Sequence, residues 1–336
     1  MTAIPGMRCY LLILVLGLAP RAAPADDLRL RGETMGTTYR VSVAATRDAS
    51  VELKTHIDAL LERINDQMST YRPQSELSRL NANASREWLS VSAELYTVLA
   101  AARQVSVATD GAFDITVGPL VNLWGFGPQA RVDQPPSASA LAEALARVGY
   151  RQLELADGPP RVRKARSDLY LDLSAIAKGY AVDQVAALLE AQGMHDYLVD
   201  IGGELRARGH NAKGDAWQVG VALPVANIDD IERVLALTDT GLATSGDYRN
   251  YFEYQGRRYS HEIDPATGHP ITNDVASVSV LHASCMMADA YATGLMVMGA
   301  ERGLALAEKR GLKVLFLLPD GQHFKARATP DFPVSR

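Results

Sequence analysis

The chain has 336 residues, 34 lysines and arginines against 39 aspartates and glutamates, a formal net charge of −5, and 47% hydrophobic residues. That supplies apolar material for one large or two smaller cores, and an acidic balance without any basic block argues against nucleic acid as a partner. Of two cysteines, Cys9 lies in the leader and Cys285 in the body, so the body carries no intrachain disulfide.

Residues 1–25 read as a signal peptide. Arg8 precedes an apolar run, Tyr10 to Leu18, shorter than the ~20 residues of a permanent span. Pro20 breaks the run, and Ala23-Pro24-Ala25 gives the small-x-small pattern of a cleavage site. Cys9 stands at the front of the run, so no lipobox is evident. The expectation is an exported, soluble protein, periplasmic in a Gram-negative source, with one domain over 26–336.

Along that domain, Gly32 to Ala44 reads as a strand pair through the turn Met35-Gly36-Thr37-Thr38. Leu53, Ile57, Leu60, Leu61, Ile64 and Met68 form one apolar helical face. Ser92 to Asp110 reads as a second helix, closed by Asp110-Gly111. The Gly- and Pro-rich stretch Gly118 to Pro136 precedes a short helix, Ser137 to Val148, and strands around Leu153 and Leu171. From about Ser174, the apolar positions Val182, Val185, Ala186 and Leu189 mark a central helix that Gly193 ends.

Short strands follow at Tyr197 to Ile201, Glu204 to Arg208, Trp217 to Leu223, Val234 to Asp239, Tyr248 to Tyr254, Tyr259 to Ile263 and Val275 to Leu281. Gly202-Gly203 and Gly256 are expected at tight turns. Helices Cys285 to Met298 and Ala300 to Arg310, then a hairpin around Asp320-Gly321, complete the chain. Cys285 sits in a small, apolar run and reads as a packing residue. Helices interleaved with antiparallel hairpins predict an α+β fold, a compound single globule of mostly antiparallel sheets with packed helices.

Three groupings carry chemistry. Asp172, before the central helix, and Lys178, one turn in, read either as an anion-binding helix start or as a capped helix with a solvated lysine. Asp289 and Thr293, four apart on a helix, present two hard oxygens on one face, suited to magnesium or to a mutual hydrogen bond in a helix interface. His261 precedes a turn rich in Asp, Pro and Gly, where an imidazole serves either as a general base or as a partner for a backbone carbonyl. Gly125 to Ala130 matches G-x-G-x-x-A but contains Pro128 and lacks a framing strand and helix, so it reads as a loop.

Eight segments stand in a fixed order: ETMGTTYRVSV, DQMSTYRPQSELSRLN, GAFDITVGPLVNLWGFG, LDLSAIAKGYAVD, VDIGGELRARG, ATSGDYRNYF, SHEIDPATGHPI and SCMMADAYATGLMVMG. With them the chain resembles the ApbE family from Thr34 to about Leu318. These are FAD:protein FMN transferases, which move FMN from FAD onto a threonine or serine hydroxyl of a partner protein with release of AMP. The resemblance implies an ApbE or T-fold-like architecture. It also implies that Asp289, Thr293 and the Ala175 carbonyl hold Mg2+. By the same resemblance Lys178 contacts FAD and Asp172 bonds a polar edge of it. Tyr71 and Phe113 lie against the FAD, Asp114 and the Ala112 backbone make polar contacts, Met35 packs on the ring system, and Ile263 offers its main chain.

For the base, Asp264, a metal-bound oxygen or concerted deprotonation remain alternatives to His261. The acceptor implied is a protein with a D-G-x-[ST]-G-A-[ST] segment, as on subunits of membrane redox complexes; this chain contains no such segment. Two other readings are an FAD pyrophosphatase giving FMN and AMP, and a non-catalytic periplasmic FAD-binding protein. Intact Asp289 and Thr293 argue against the second.

Overall fold

Strands β1 (Leu28–Thr34) and β2 (Thr37–Val43) are joined by Met35 and Gly36, both at positive φ, 50° and 71°. This two-residue turn matches the twist of paired strands. A computed structural model describes residues 27–44, 50–129, 132, 134–224, 231–247 and 250–333. The expected signal peptide, Ala130 of the G-x-G-x-x-A match, and Tyr248 at the start of one expected strand lie outside the described residues.

Helix α1 (Ser50–Met68) buries the predicted face of Leu53, Ile57, Leu61, Ile64 and Met68. Helix α2 (Glu76–Ala82) and the short β3 (Leu89–Ser90) precede α3 (Ala93–Ala108), which Ser92 caps through Leu95 N–H. The Gly- and Pro-rich stretch opens with a helix, α4 (Gly118–Leu123), because Pro119 sits in its first turn, where a missing N–H costs nothing. Helix α5 (Ala138–Leu145) and strands β4 (Leu153–Ala156) and β5 (Arg161–Lys164) lead to α6 (Ala177–Ala191).

Then come β6 (Tyr197–Ile201), β7 (Glu204–Arg208), β8 (Trp217–Ala222), β9 (Ile231–Leu237), β10 (Thr240–Gly246), β11 (Tyr251–Tyr254), β12 (Arg257–Ser260) and β13 (Ser277–His282). Helices α7 (Cys285–Met298) and α8 (Ala300–Arg310) follow, and β14 (Lys313–Asp320) with β15 (His323–Ala328) closes the chain.

The frame is one eight-stranded sheet in the order β1-β2-β6-β7-β10-β13-β14-β15, with antiparallel neighbours throughout. This is the expected α+β class. The main core, with residues of α1, α3, α6, α7 and α8, covers one face. A second cluster, including Trp217, Val219 and Leu235 of the β8–β9 hairpin, covers part of the other. A third, around Trp124 of the α4 end, Phe252 and Ile263, forms a satellite.

Two expected features change. Leu169 and Leu171 are buried, but the segment expected as a strand around Leu171 is not one. The side-chain amide of Asn81 stands in for a neighbouring strand, accepting from Leu171 N–H at 2.8 Å and donating to its carbonyl at 2.9 Å. Strand β10 was not anticipated. Its sequence TGLATSG is short of bulky β-formers, and its place between β7 and β13 makes it a strand. The strand expected at Tyr259 to Ile263 ends at Ser260, and Ile263 makes only an isolated bridge to Pro270.

Candidate active site

The turn before α6 is built by Asp172, whose Oδ1 accepts from Ser174 N–H at 2.9 Å and from the Ser174 hydroxyl at 2.6 Å. The helix begins at Ala177, three residues later than its apolar spacing suggests, and no side chain caps it at Ile176. Instead, Gly179 N–H donates to Asp289 Oδ2 on α7 at 3.0 Å. In a continuing ladder that N–H would go to the Ala175 carbonyl, which is left outside the α6 bonding. The anion at this helix start is therefore a carboxylate of the protein itself.

Lys178 is paired with a carboxylate and not a free lysine on an outer face. Its Nζ lies 2.6 Å from Glu204 Oε1, at the first position of β7, with 30% of the lysine side chain accessible. Burial pulls the Lys178 pKa down, yet the charges of Glu204 and Asp289 outweigh it and the net shift is upward. Burial pushes the carboxyls of Glu204 and Asp289 up, against the pull of the Lys178 ammonium. Glu204 is 3% exposed, and its Oε2 is buried without a hydrogen-bond partner. Glu262 is also buried and pushed up, chiefly by burial. One ammonium faces several buried carboxyls, so this end of the site is short of positive charge.

Thr293, one turn after Asp289 on α7, shares a hydrogen bond of 3.0 Å with Ser245 of β10. Opposite, Trp124, Phe252 and Tyr259 stack at 5.1 to 6.4 Å between ring centroids, and Trp124 Nε1 donates to the Gly268 carbonyl at 2.8 Å. These contacts support the loop that carries His261. Its Nδ1 lies 3.0 Å from the Asn250 carbonyl, its Nε2 lies 3.6 Å from Glu262 Oε1, and Phe126 meets the ring edge-on at 6.3 Å. An Nδ1–H donated to Asn250 leaves the Nε2 lone pair as the proton acceptor.

A cleft of about 390 Å³ is lined by Tyr71, Ala112, Phe113, Asp114, Asp172, Ala175, Lys178, His261, Ile263, Asp289 and Thr293 together. Of the expected site residues only Met35 lies elsewhere, in a depression of about 770 Å³ beside α1. The Met35 turn approaches the cleft at Gly202, whose N–H bonds the Thr38 carbonyl at 3.1 Å.

Within the cleft two roles shift. Phe113 is only 2% exposed and serves the core, while Tyr71, 64% exposed, offers the accessible aromatic face. Asp114 spends its oxygens on Thr116 and on Tyr150 N–H, so it shapes the loop; burial pushes its carboxyl up. Glu204, Glu262, Ser245, Asn250 and Phe126 were not singled out from the sequence. Glu204 had a readable signal, an acid directly after the Gly202-Gly203 turn, but its burial depends on where β7 lies. Asp264 is committed to its own turn, accepting from Ala266 N–H and Thr267.

The ApbE family model matches residues 35–316. The chain belongs to the ApbE family. It is 47% identical over 97% of its length, and 98% of the relative's, to the FAD:protein FMN transferase of Vibrio cholerae, and 42% identical to that of Haemophilus influenzae over 95% of this chain and 94% of the relative. Among solved structures, the flavin transferase ApbE from Vibrio cholerae superposes with a TM-score of 0.85, covering 92% of this chain and 99% of that one. The apo flavinyl transferase ApbE of Pseudomonas stutzeri gives 0.82 at 42% identity, covering 91% and 95%. The antiparallel sheet and packed helices described above are thus the ApbE fold.

Proposed function

We infer that this chain is an FAD:protein FMN transferase, and we propose that it releases AMP and leaves FMN on a threonine or serine hydroxyl of a partner protein. The observation that carries the reading is the convergence, in one cleft, of the Asp289–Thr293–Ala175 oxygens, the Lys178 ammonium and the His261 imidazole, at a rim bearing Tyr71. The relatives named above carry the same activity in their names.

The donor set suits magnesium, since one carboxylate, one hydroxyl and one carbonyl are hard oxygen ligands that leave positions for water and phosphate. Among the described residues no three His, Cys, Asp or Glu form a ligand cluster, so the fit rests on this mixed set and on the deficit of positive charge around it. A magnesium ion held by Asp289, Thr293 and Ala175 would supply charge to the pyrophosphate oxygens and to departing AMP.

The chain's own residues do the rest. Tyr71 offers a face for an aromatic ring of FAD, worth roughly 1 to 3 kcal/mol for a stacked base. Lys178 directs a fixed positive charge at the pyrophosphate. His261 Nε2 takes the proton of the acceptor hydroxyl as its oxygen bonds to the FMN phosphorus, and the P–O bond to AMP breaks with its electron pair leaving on AMP. The signal-peptide reading of residues 1–25 supports a periplasmic site of action. Among the described residues no helix is long and apolar enough to cross a membrane.

Incubating the mature chain with FAD, magnesium and a D-G-x-T-G-A-T peptide, followed by intact mass and AMP quantification, tests this reading. Modified peptide and AMP in a ratio near one supports transfer. Abundant AMP without modified peptide would make the chain a pyrophosphatase.

A further inference from the structure

Asp183 lies on α6 one turn beyond Gly179, and its carboxylate is directed at the neighbouring helix. Its Oδ1 accepts from Cys285 N–H at 3.0 Å and pairs with Arg206 Nη1 at 2.7 Å. Its Oδ2 accepts from the Ser284 hydroxyl at 2.7 Å and from Met286 N–H at 3.0 Å. An acid of α6 thus bonds the first N–H groups of α7, while Asp289 of α7 bonds an N–H in the first turn of α6. Each helix caps the other.

These contacts fix a register. Asp183 meets Cys285 and Gly179 meets Asp289, a step of four residues in opposite directions along the two helices, just over one turn or about 6 Å. One turn beyond Asp289 on α7 is Thr293, and it lines the cleft together with Ala175 of the turn before α6. At Gly179 an added Cβ would collide with the Cys285 carbonyl, so the two backbones are in direct contact. A one-residue slip of α7 would carry Asp289 about 1.5 Å along the axis and roughly 100° around it, taking its carboxylate off Gly179.

We propose that Asp183 is a positioning residue for flavin transfer: by capping α7 it holds the register at which Asp289 and Thr293 line the cleft beside Ala175. The inference rests on the reading of those three residues as the metal site. Asp183 touches neither substrate nor ion, and it acts through α7.

Mn2+ titrated into the mature chain and followed by electron paramagnetic resonance, with ADP present as a pyrophosphate that carries no flavin, measures the consequence directly. Asp183→Ala is expected to weaken Mn2+ by about tenfold or more, as loss of outer partners does at metal sites, and to lower kcat while riboflavin binding is retained. Asp183→Asn keeps one acceptor oxygen and should fall between Asp183→Ala and wild type. A merely structural cap would lower the melting temperature and leave the Mn2+ affinity and kcat of the folded molecules unchanged, and that result overturns the inference. If Asp183→Ala does not fold, Asp183→Asn, which removes the charge and one acceptor oxygen, carries the test, and wild-type Mn2+ affinity and kcat in that variant overturn it equally. Wild-type protein that binds no Mn2+ would sink the metal reading and this inference together. Equal binding by wild type and variants sinks this inference alone.

Discussion

The two walls of the cleft are made of opposite materials. On the α6/α7 side, Asp289, Glu204 and the Lys178 ammonium are tied by hydrogen bonds and an ion pair across three elements, and the helices touch at Gly179. On the other side, β11, β12 and the loop from His261 to Pro270 rest on a small aromatic cluster, and His261 keeps 32% of its side chain accessible. Charge held in place by such contacts suits the part of a substrate that never varies, its pyrophosphate. An accessible imidazole suits an acceptor that must arrive on another protein. On the proposed function the cleft would separate holding the donor from admitting the acceptor, and substitutions on the two walls should then fail in different ways.

The largest effect is expected at Asp289. Asp289→Ala should abolish AMP release, measured by chromatography, while FAD still binds through its ring systems. Full turnover in magnesium would remove Asp289 from the metal reading. Next, His261→Ala should slow peptide flavinylation by ~10²- to 10⁴-fold, the usual worth of a positioned proton acceptor, and leave the FAD dissociation constant unchanged. Loss of FAD binding in this variant would place His261 on the donor-holding wall and collapse the contrast.

Lys178→Ala should weaken FAD by about tenfold or more, in line with loss of a charge-assisted contact of roughly 1.5 to 3 kcal/mol, and leave riboflavin unaffected because it lacks phosphate. The variant also strands Glu204, so the double variant Lys178→Ala with Glu204→Gln should recover folding stability without recovering FAD affinity. Equal FAD affinities in wild type and both variants would reduce the Lys178–Glu204 pair to a packing device. The smallest effect belongs to the rim. Tyr71→Phe should preserve FAD binding and Tyr71→Ala should weaken it by roughly 1 to 3 kcal/mol, the range for one stacked ring. Calorimetric titration with FAD distinguishes the two, and an unaffected Tyr71→Ala would leave the rim without a role in donor binding.

How far these walls are legible in the sequence differs element by element. Helices α7 and α8 begin and end where their apolar periodicity and flanking glycines place them, and β6 and β7 meet at the Gly202-Gly203 turn. Local chemistry suffices there. It does not suffice at β10, whose small residues are a strand only because two neighbours pair with them, nor at Leu171, where Asn81, ninety positions away, supplies the hydrogen bonds of an absent strand. The anion expected at the α6 start turned out to be Asp289, since a helix N-terminus states its need for a negative partner but not which residue meets it.

The sequence by itself determined the α+β class, the elements whose periodicity is strong, and the set of residue types from which the site is made. Motif order in the sequence also ties that set to ApbE. Only the tertiary structure decided who meets whom: Glu204 with Lys178, Ser245 with Thr293, Asp183 with the start of α7, and Phe113 turned into the core while Tyr71 stays at the rim. Periodicity and caps are read within a few residues of chain. Charge pairing and burial depend on distances between segments from tens to about a hundred residues apart, and those exist only once the sheet and its helices are packed.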